Sequence, residues 1–129
     1  MKHELILTTD PIDEADLLAG RTPASGLGAV VYFVGAVRAE EQGQPISGLE
    51  YEAFPEMAEH QFHLIFAKVE RQWPIASIRL VHRLGRVRVN EASLWVEVTA
   101  AHRGEAFAAC QFLIDEMKQT VPIWKKAFV

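Results

Sequence analysis

The chain has 129 residues, of which half are hydrophobic and 23% charged, and a formal net charge of -4. That length suits a single domain over residues 1–129, which can bury roughly two thirds of its unfolded surface and needs neither metal nor disulfide to fold. The lone Cys110 excludes a disulfide framework, the acidic balance argues against broad nucleic-acid binding, and nothing resembles a signal peptide or an apolar membrane span of about 20 residues, so a cytoplasmic protein is expected.

Residues 3–8 read as a short strand. Asp10-Pro11 then predicts a helix with Asp10 as N-cap and Pro11 at the first helical position, running to about Leu18. Residues 20–28 form a turn-rich connection. Residues 29–37, AVVYFVGAV, are β-branched and aromatic and carry no charge, which predicts a buried strand. The polar stretch 38–47, RAEEQGQPIS, with Gly43 and Pro45, predicts an exposed, mobile loop. Residues 48–54 resume as a strand in which Leu49, Tyr51 and Ala53 alternate with Glu50 and Glu52.

Pro55 can start the next helix, whose apolar stripe is Ala58, Phe62, Ile65, Phe66 and Val69; Trp73-Pro74 stops it. Residues 78–89 and 93–101 predict two further strands, the first broken near Gly85. In the second, Leu94, Val96 and Val98 face one way and Trp95, Glu97 and Thr99 the other. Residues 104–119 predict a second long helix with Ala106, Ala109, Cys110, Leu113 and Met117 as its buried stripe, ended by Pro122 and followed by an extended 123–129. The order β-α-β-β-α-β-β-α-β predicts an α+β domain, two long helices packed on a mostly antiparallel sheet.

Residues 100–126 gather cations that an acidic protein has little general reason to collect. His102 and Arg103 fall at a predicted helix start, where unpaired N–H groups favour anions. An arginine there opposes the helix dipole, which hints at an anion nearby; a plain exposed arginine is the competing explanation. Lys118 lies in the last turn, where a cation simply suits the dipole. Its apolar neighbours Met117, Val121, Ile123 and Trp124 could instead desolvate the ammonium, lower its pKa and make it a proton carrier. Of Lys125 and Lys126, only one can face a pocket in an extended segment. Arg38 stands where a buried strand gives way to a loop, a common position for binding groups.

Cys110 falls within an apolar stripe and reads as a core cysteine, not a sulfur-carrying nucleophile. His60 and His63 lack companions for a metal site, and no dinucleotide fingerprint or phosphate loop is present, so no metal and no cofactor are expected. Arg79, Arg83, Arg86 and Arg88 form a basic block that is either a solvated face or, less plausibly, a nucleic-acid contact.

Four stretches carry a family resemblance: GAVVYFVGAVR at 28–38, LEYEAFPEMAE at 49–59, VHRLGRVRVNEASLWVEVTAAHRGEAF at 81–107 and MKQTVPIWKK at 117–126. In this order and across nearly the whole chain from Gly28, they resemble the catalytic large subunit of molybdopterin synthase. The resemblance implies an α/β-hammerhead fold and a homodimer within a heterotetramer, each protomer docking a small ubiquitin-like sulfur-carrier subunit. It implies sulfur transfer from that carrier's thiocarboxylated C-terminal glycine onto cyclic pyranopterin monophosphate, a pterin, giving molybdopterin. By the same resemblance substrate contacts fall on Ala36, Val37, Arg38, His102, Arg103, Lys118 and the stretch Lys125, Lys126, Ala127. Lys118 matches the family's essential lysine, with Lys125 as a second catalytic cation, and His102 and Arg103 would serve the partner protomer's pocket. Ala127 stands where the family has an acidic residue, and the sequence ends at Val129 where family members continue. Those departures keep a second reading open, a non-catalytic protein of the same fold that binds the pterin or the carrier.

Overall fold

A computed structural model describes residues 1–22 and 24–129. The first element, strand β1 (Lys2–Thr8), matches expectation; helix α1 (Glu14–Ala19) starts later than the sequence suggested. Its N-cap is Asp13, whose carboxylate accepts from the Asp16 N–H at 3.0 Å, while the Asp10 N–H donates to Thr8 Oγ1 in a preceding turn. Both aspartates are good caps; the second wins because Glu14 and Asp16 then fall in the first turn, where the dipole favours carboxylates. The connection 20–28 contains Pro23, which lies outside the described residues.

Strand β2 (Ala29–Ala36) departs from expectation in another way. The main sheet runs β1-β6-β8-β2, with β6 (Ile75–Arg83) and β8 (Ala92–Ala100) central, so β2 is an edge paired to β8 alone. Its Tyr32, Phe33 and Val34 are each more than a third exposed. The strand is as apolar as expected, but among the described residues nothing covers these side chains fully. Among the described residues the β1–β6 pairing alone is parallel.

The expected loop 38–47 is a short hairpin, β3 (Glu40–Glu41) and β4 (Gln44–Pro45), turning through Gln42 and Gly43, both at positive φ. Such a turn matches the twist of the strands it joins. Next come β5 (Gly48–Ala53), helix α2 (Pro55–Gln72), then β6, β7 (Gly85–Arg88), β8, helix α3 (Arg103–Thr120) and β9 (Ile123–Phe128). The break expected near Gly85 is a change of sheet: β6 stays in the main sheet, and β7 joins β5 and β9 in a second one. Gly85 adopts φ +80° there, and Gly48 lies so close to the Val87 carbonyl and the Phe128 ring that any side chain would collide.

The α2 and α3 stripes fall where predicted, with Ile114 added to the second, and pack with Ile78, Leu80, Leu94, Val96 and Val98 into the main core. Trp73 meets Phe112 edge-on at 5.3 Å where the two helices touch. A smaller cluster of Val37, Leu49 and Val87 forms under the second sheet. The fold is α+β and mostly antiparallel, and the space between its two cores holds the site.

Candidate active site

Where the main sheet gives way to the small one, residues of seven elements border a cleft of about 500 Å³. Its walls include Ala36 at the end of β2, Val37 and Arg38 just past it, Glu41 of β3, Tyr51 of β5, His82 of β6, Ser93 of β8, Lys118 of α3, and Trp124 and Lys125 of β9. Residues far apart in sequence meet because each sits at or near the end of its element. The structure therefore brings Ala36, Val37, Arg38, Lys118 and Lys125 together, and leaves His102, Arg103, Lys126 and Ala127 out of the cleft wall.

Charge is arranged tightly here. The hairpin turns Glu41 back toward the cleft, its Oε1 3.5 Å from Lys125 Nζ and its Oε2 3.9 Å from Arg38 Nη2. Lys118 has no ion-pair partner among the described residues and is exposed. The expected desolvation by its neighbours does not come from this chain: Met117 and Val121 turn into the main core, and helical geometry sets Lys118 about 100° around the axis from Met117. Behind the cations, the Tyr51 hydroxyl donates to Ser93 Oγ at 3.3 Å, and Ser93 donates to the Gly35 carbonyl at 3.2 Å, tying down the end of β2. Phe54 meets Trp124 edge-on at 5.2 Å along the rim.

His102 caps α3 at its far end, about 24 Å along the axis from Lys118 at 1.5 Å per residue. Glu105 Oε1 accepts from the His102 backbone N–H at 2.9 Å and lies 3.2 Å from its Nδ1. Part of the negative charge anticipated at this helix start is therefore internal. The imidazole itself and the Arg103 side chain point into solvent.

Other features lose their claim. Cys110 is buried in the main core and burial pushes its thiol pKa up, away from the reactive thiolate. His63 packs against His3 and Phe66, as an aromatic and not as a ligand. Three of the four arginines of the basic block face carboxylates: Arg79 grips Glu97 with two hydrogen bonds of 2.7 and 2.8 Å, Arg83 lies 3.4 Å from Glu91, and Arg86 3.2 Å from Glu50. A roomier cleft of about 730 Å³ beside β1 is bordered by that same Arg79–Glu97 pair, so its principal charges neutralise one another.

Sequence reasoning missed Glu41, Tyr51, His82 and Ser93. For His82 a signal existed, a titratable side chain directly after the apolar pair Leu80-Val81 of a predicted strand; for the others only the assembled fold reveals the role.

A family profile described as MoaE protein matches residues 7–120. A molybdopterin synthase catalytic subunit of Thermoplasma volcanium is 38% identical over 120 residues, 93% of this chain and 87% of that protein. One from a Nostoc species is 43% identical over 103 residues, 79% of this chain; the chain spans only 62% of that relative's length. The crystal structure of molybdopterin synthase from Staphylococcus aureus superposes with a TM-score of 0.84 at 33% identity, covering 97% of this chain and 89% of that one.

Proposed function

The chain belongs to the MoaE protein family, and from that membership we propose that it works as the catalytic subunit of a cytoplasmic molybdopterin synthase, a single-domain sulfurtransferase. Its substrates are cyclic pyranopterin monophosphate and the thiocarboxylated tail of a small ubiquitin-like carrier. The observation that carries this reading is the convergence of Arg38, Lys118 and Lys125 on one cleft of a size suited to a small ligand.

Both reactants are anions, so they repel each other. Arg38 and Lys125 offset that repulsion and hold the two in register, with Arg38 suited to bidentate grip of a phosphate. Lys118 carries protons during attack of the thiocarboxylate sulfur, and its positive charge stabilises the negative charge that develops. The sulfur arrives on the carrier, so the buried Cys110 has no part to play.

His102 and Arg103 fit the same scheme only from a second protomer, since one α3 helix separates them from Lys118. A homodimer within a heterotetramer supplies that arrangement. The exposed apolar edge of β2 is a surface such an assembly would cover. Lys126 and Ala127, on β9 beyond Lys125, then extend the contact toward the carrier tail.

Mixing the chain with the cyclic pterin and at least two equivalents of thiocarboxylated carrier, one for each sulfur of the dithiolene, tests the reading. Dithiolene product is expected. Binding of either reactant without product would replace it with the non-catalytic reading.

A further inference from the structure

One titratable group in the cleft wall has no part in the scheme above. His82 is 5% exposed, near the end of β6, yet borders the same space as Arg38, Lys118 and Lys125. Its Nδ1 lies 2.8 Å from the Arg83 carbonyl oxygen. A carbonyl can only accept, so Nδ1 carries the hydrogen and the lone pair of the neutral ring is on Nε2. Burial pushes the imidazole pKa down, which keeps that neutral form dominant near pH 7.

No described residue donates to Nε2. The neighbouring polar groups are engaged with one another: Tyr51, whose ring meets His82 edge-on at 5.2 Å, spends its hydroxyl hydrogen on Ser93, and Ser93 spends its own on Gly35. Arg38, Lys118 and Lys125 are donors only, and the Glu41 carboxylate is held by two of them. Among the described residues Arg83 Nε is the buried side-chain polar atom without a partner, so His82 Nε2 is not sealed in the core; it is an acceptor within reach of the cleft that a ligand donor can engage in place of water.

We propose that His82 Nε2 is a substrate-facing acceptor that receives an N–H or O–H of the uncharged ring portion of the ligand and so fixes which edge of that ring enters the cleft. The cations hold charge but tolerate many orientations; a single acceptor at the wall removes that freedom. A site built to pair a donor also rejects analogues that lack it. The proposal rests on the pterin reading above and names the residue that would select the heterocycle.

Two variants and one spectrum test it. His82→Asn keeps a donor for the Arg83 carbonyl and deletes Nε2; His82→Gln returns a polar group near the Nε2 position. In steady-state assays of the complete complex, His82→Asn is expected to raise KM for the cyclic pterin about 3- to 10-fold, the net worth of one neutral hydrogen bond. KM for the carrier and the melting temperature should stay close to wild type, and His82→Gln should recover part of the loss. In wild-type protein labelled with ¹⁵N in its histidines, the unprotonated Nε2 resonance should shift on saturation with the cyclic pterin. An unchanged pterin KM in His82→Asn, a parallel loss in both KM values and melting temperature, or an Nε2 resonance unmoved by saturating pterin each overturns the proposal. The spectrum needs no variant to fold. Wild-type protein that shifts the resonance but yields no product would instead sink the catalytic reading and leave His82 as the acceptor of a binding protein.

Discussion

Replacing Lys118 by alanine separates chemistry from architecture, because the structure assigns that side chain almost no structural work. It is exposed, in the last turn of α3, and has no ion-pair partner among the described residues. The favourable term lost is its interaction with the helix dipole, about 0.3–1 kcal/mol, and alanine's higher helix propensity returns a few tenths. The net change stays within about 1 kcal/mol, a shift of no more than about 5 °C in melting temperature for a domain of this size. A positioned proton carrier, by contrast, is worth roughly 10²–10⁴ in rate. Lys118→Ala should therefore cut single-turnover product formation at least about 100-fold while thermal unfolding barely moves. Lys118→Arg sharpens the distinction, since a guanidinium keeps the charge but does not release its proton near neutral pH. Arginine should restore binding of the cyclic pterin and not the rate. Product formation by Lys118→Ala within a few-fold of wild type would refute the assignment, and full rescue by arginine would reduce Lys118 to an electrostatic contact.

Cys110→Ser should leave turnover intact at a modest cost in stability from the buried hydroxyl, about 1–3 kcal/mol; loss of turnover with an intact fold would bring back a persulfide route. Arg79→Met alone strands the buried Glu97 carboxylate and should cost about 3–5 kcal/mol in chemical denaturation. Arg79→Met with Glu97→Leu should recover most of that, and equal losses in the single and double variants would show that the pair itself is not the cause. Glu41→Gln frees Arg38 and Lys125, so titration with inorganic phosphate should tighten several-fold at low salt and converge with wild type at high salt; no change at low salt would mean that Glu41 does not restrain them. His82 has a folded pKa below its ordinary 6.5, so the unfolded chain binds the extra proton first as pH falls. Its burial therefore destabilises the fold progressively as pH falls below its ordinary value; denaturation at pH 7.5 and 5.5 should show that slope shrinking in His82→Asn.

What could be read from the sequence was whatever has a local period. The stripes of α2 and α3, the two-faced strand with Trp95 and Glu97, and the break at Gly85 follow from spacing and backbone freedom alone. The start of α1 was misplaced because Asp10 and Asp13 are chemically equivalent caps three residues apart. The Gln42-Gly43 turn was unreadable because a glutamine at positive φ is rare. The exposure of β2 depends on strand order, which composition does not encode. In the site, the cations were legible as an anomaly in an acidic chain. The acceptor side, Glu41, Tyr51, His82 and Ser93, was not, since each has an ordinary local setting and acquires meaning only where the two sheets meet.

That asymmetry has a physical root in how the cleft is built. Its cations stand at element ends, so the backbone fixes where they begin while their charged tips stay in water: the Arg38 side chain is 80% exposed and that of Lys125 48%. In water a unit charge pair at 4 Å is worth about 1 kcal/mol, and about 4 kcal/mol where the effective dielectric falls to 20. The chain alone thus supplies charge without the low-dielectric surroundings that would make the charge effective. Its apolar residues point the same way, because Met117 and Val121 serve the core and Trp124 and Phe54 form a rim, not a roof. Cover must come from whatever occupies the cleft. In the proposed reaction the two reactants do this for each other, the carrier tail closing over the pterin and excluding water only when both are present. On that proposal Lys118 is exposed in the free protein and desolvated only in the assembled site, so the charges of the cleft gain their full strength when the sulfur donor is in place.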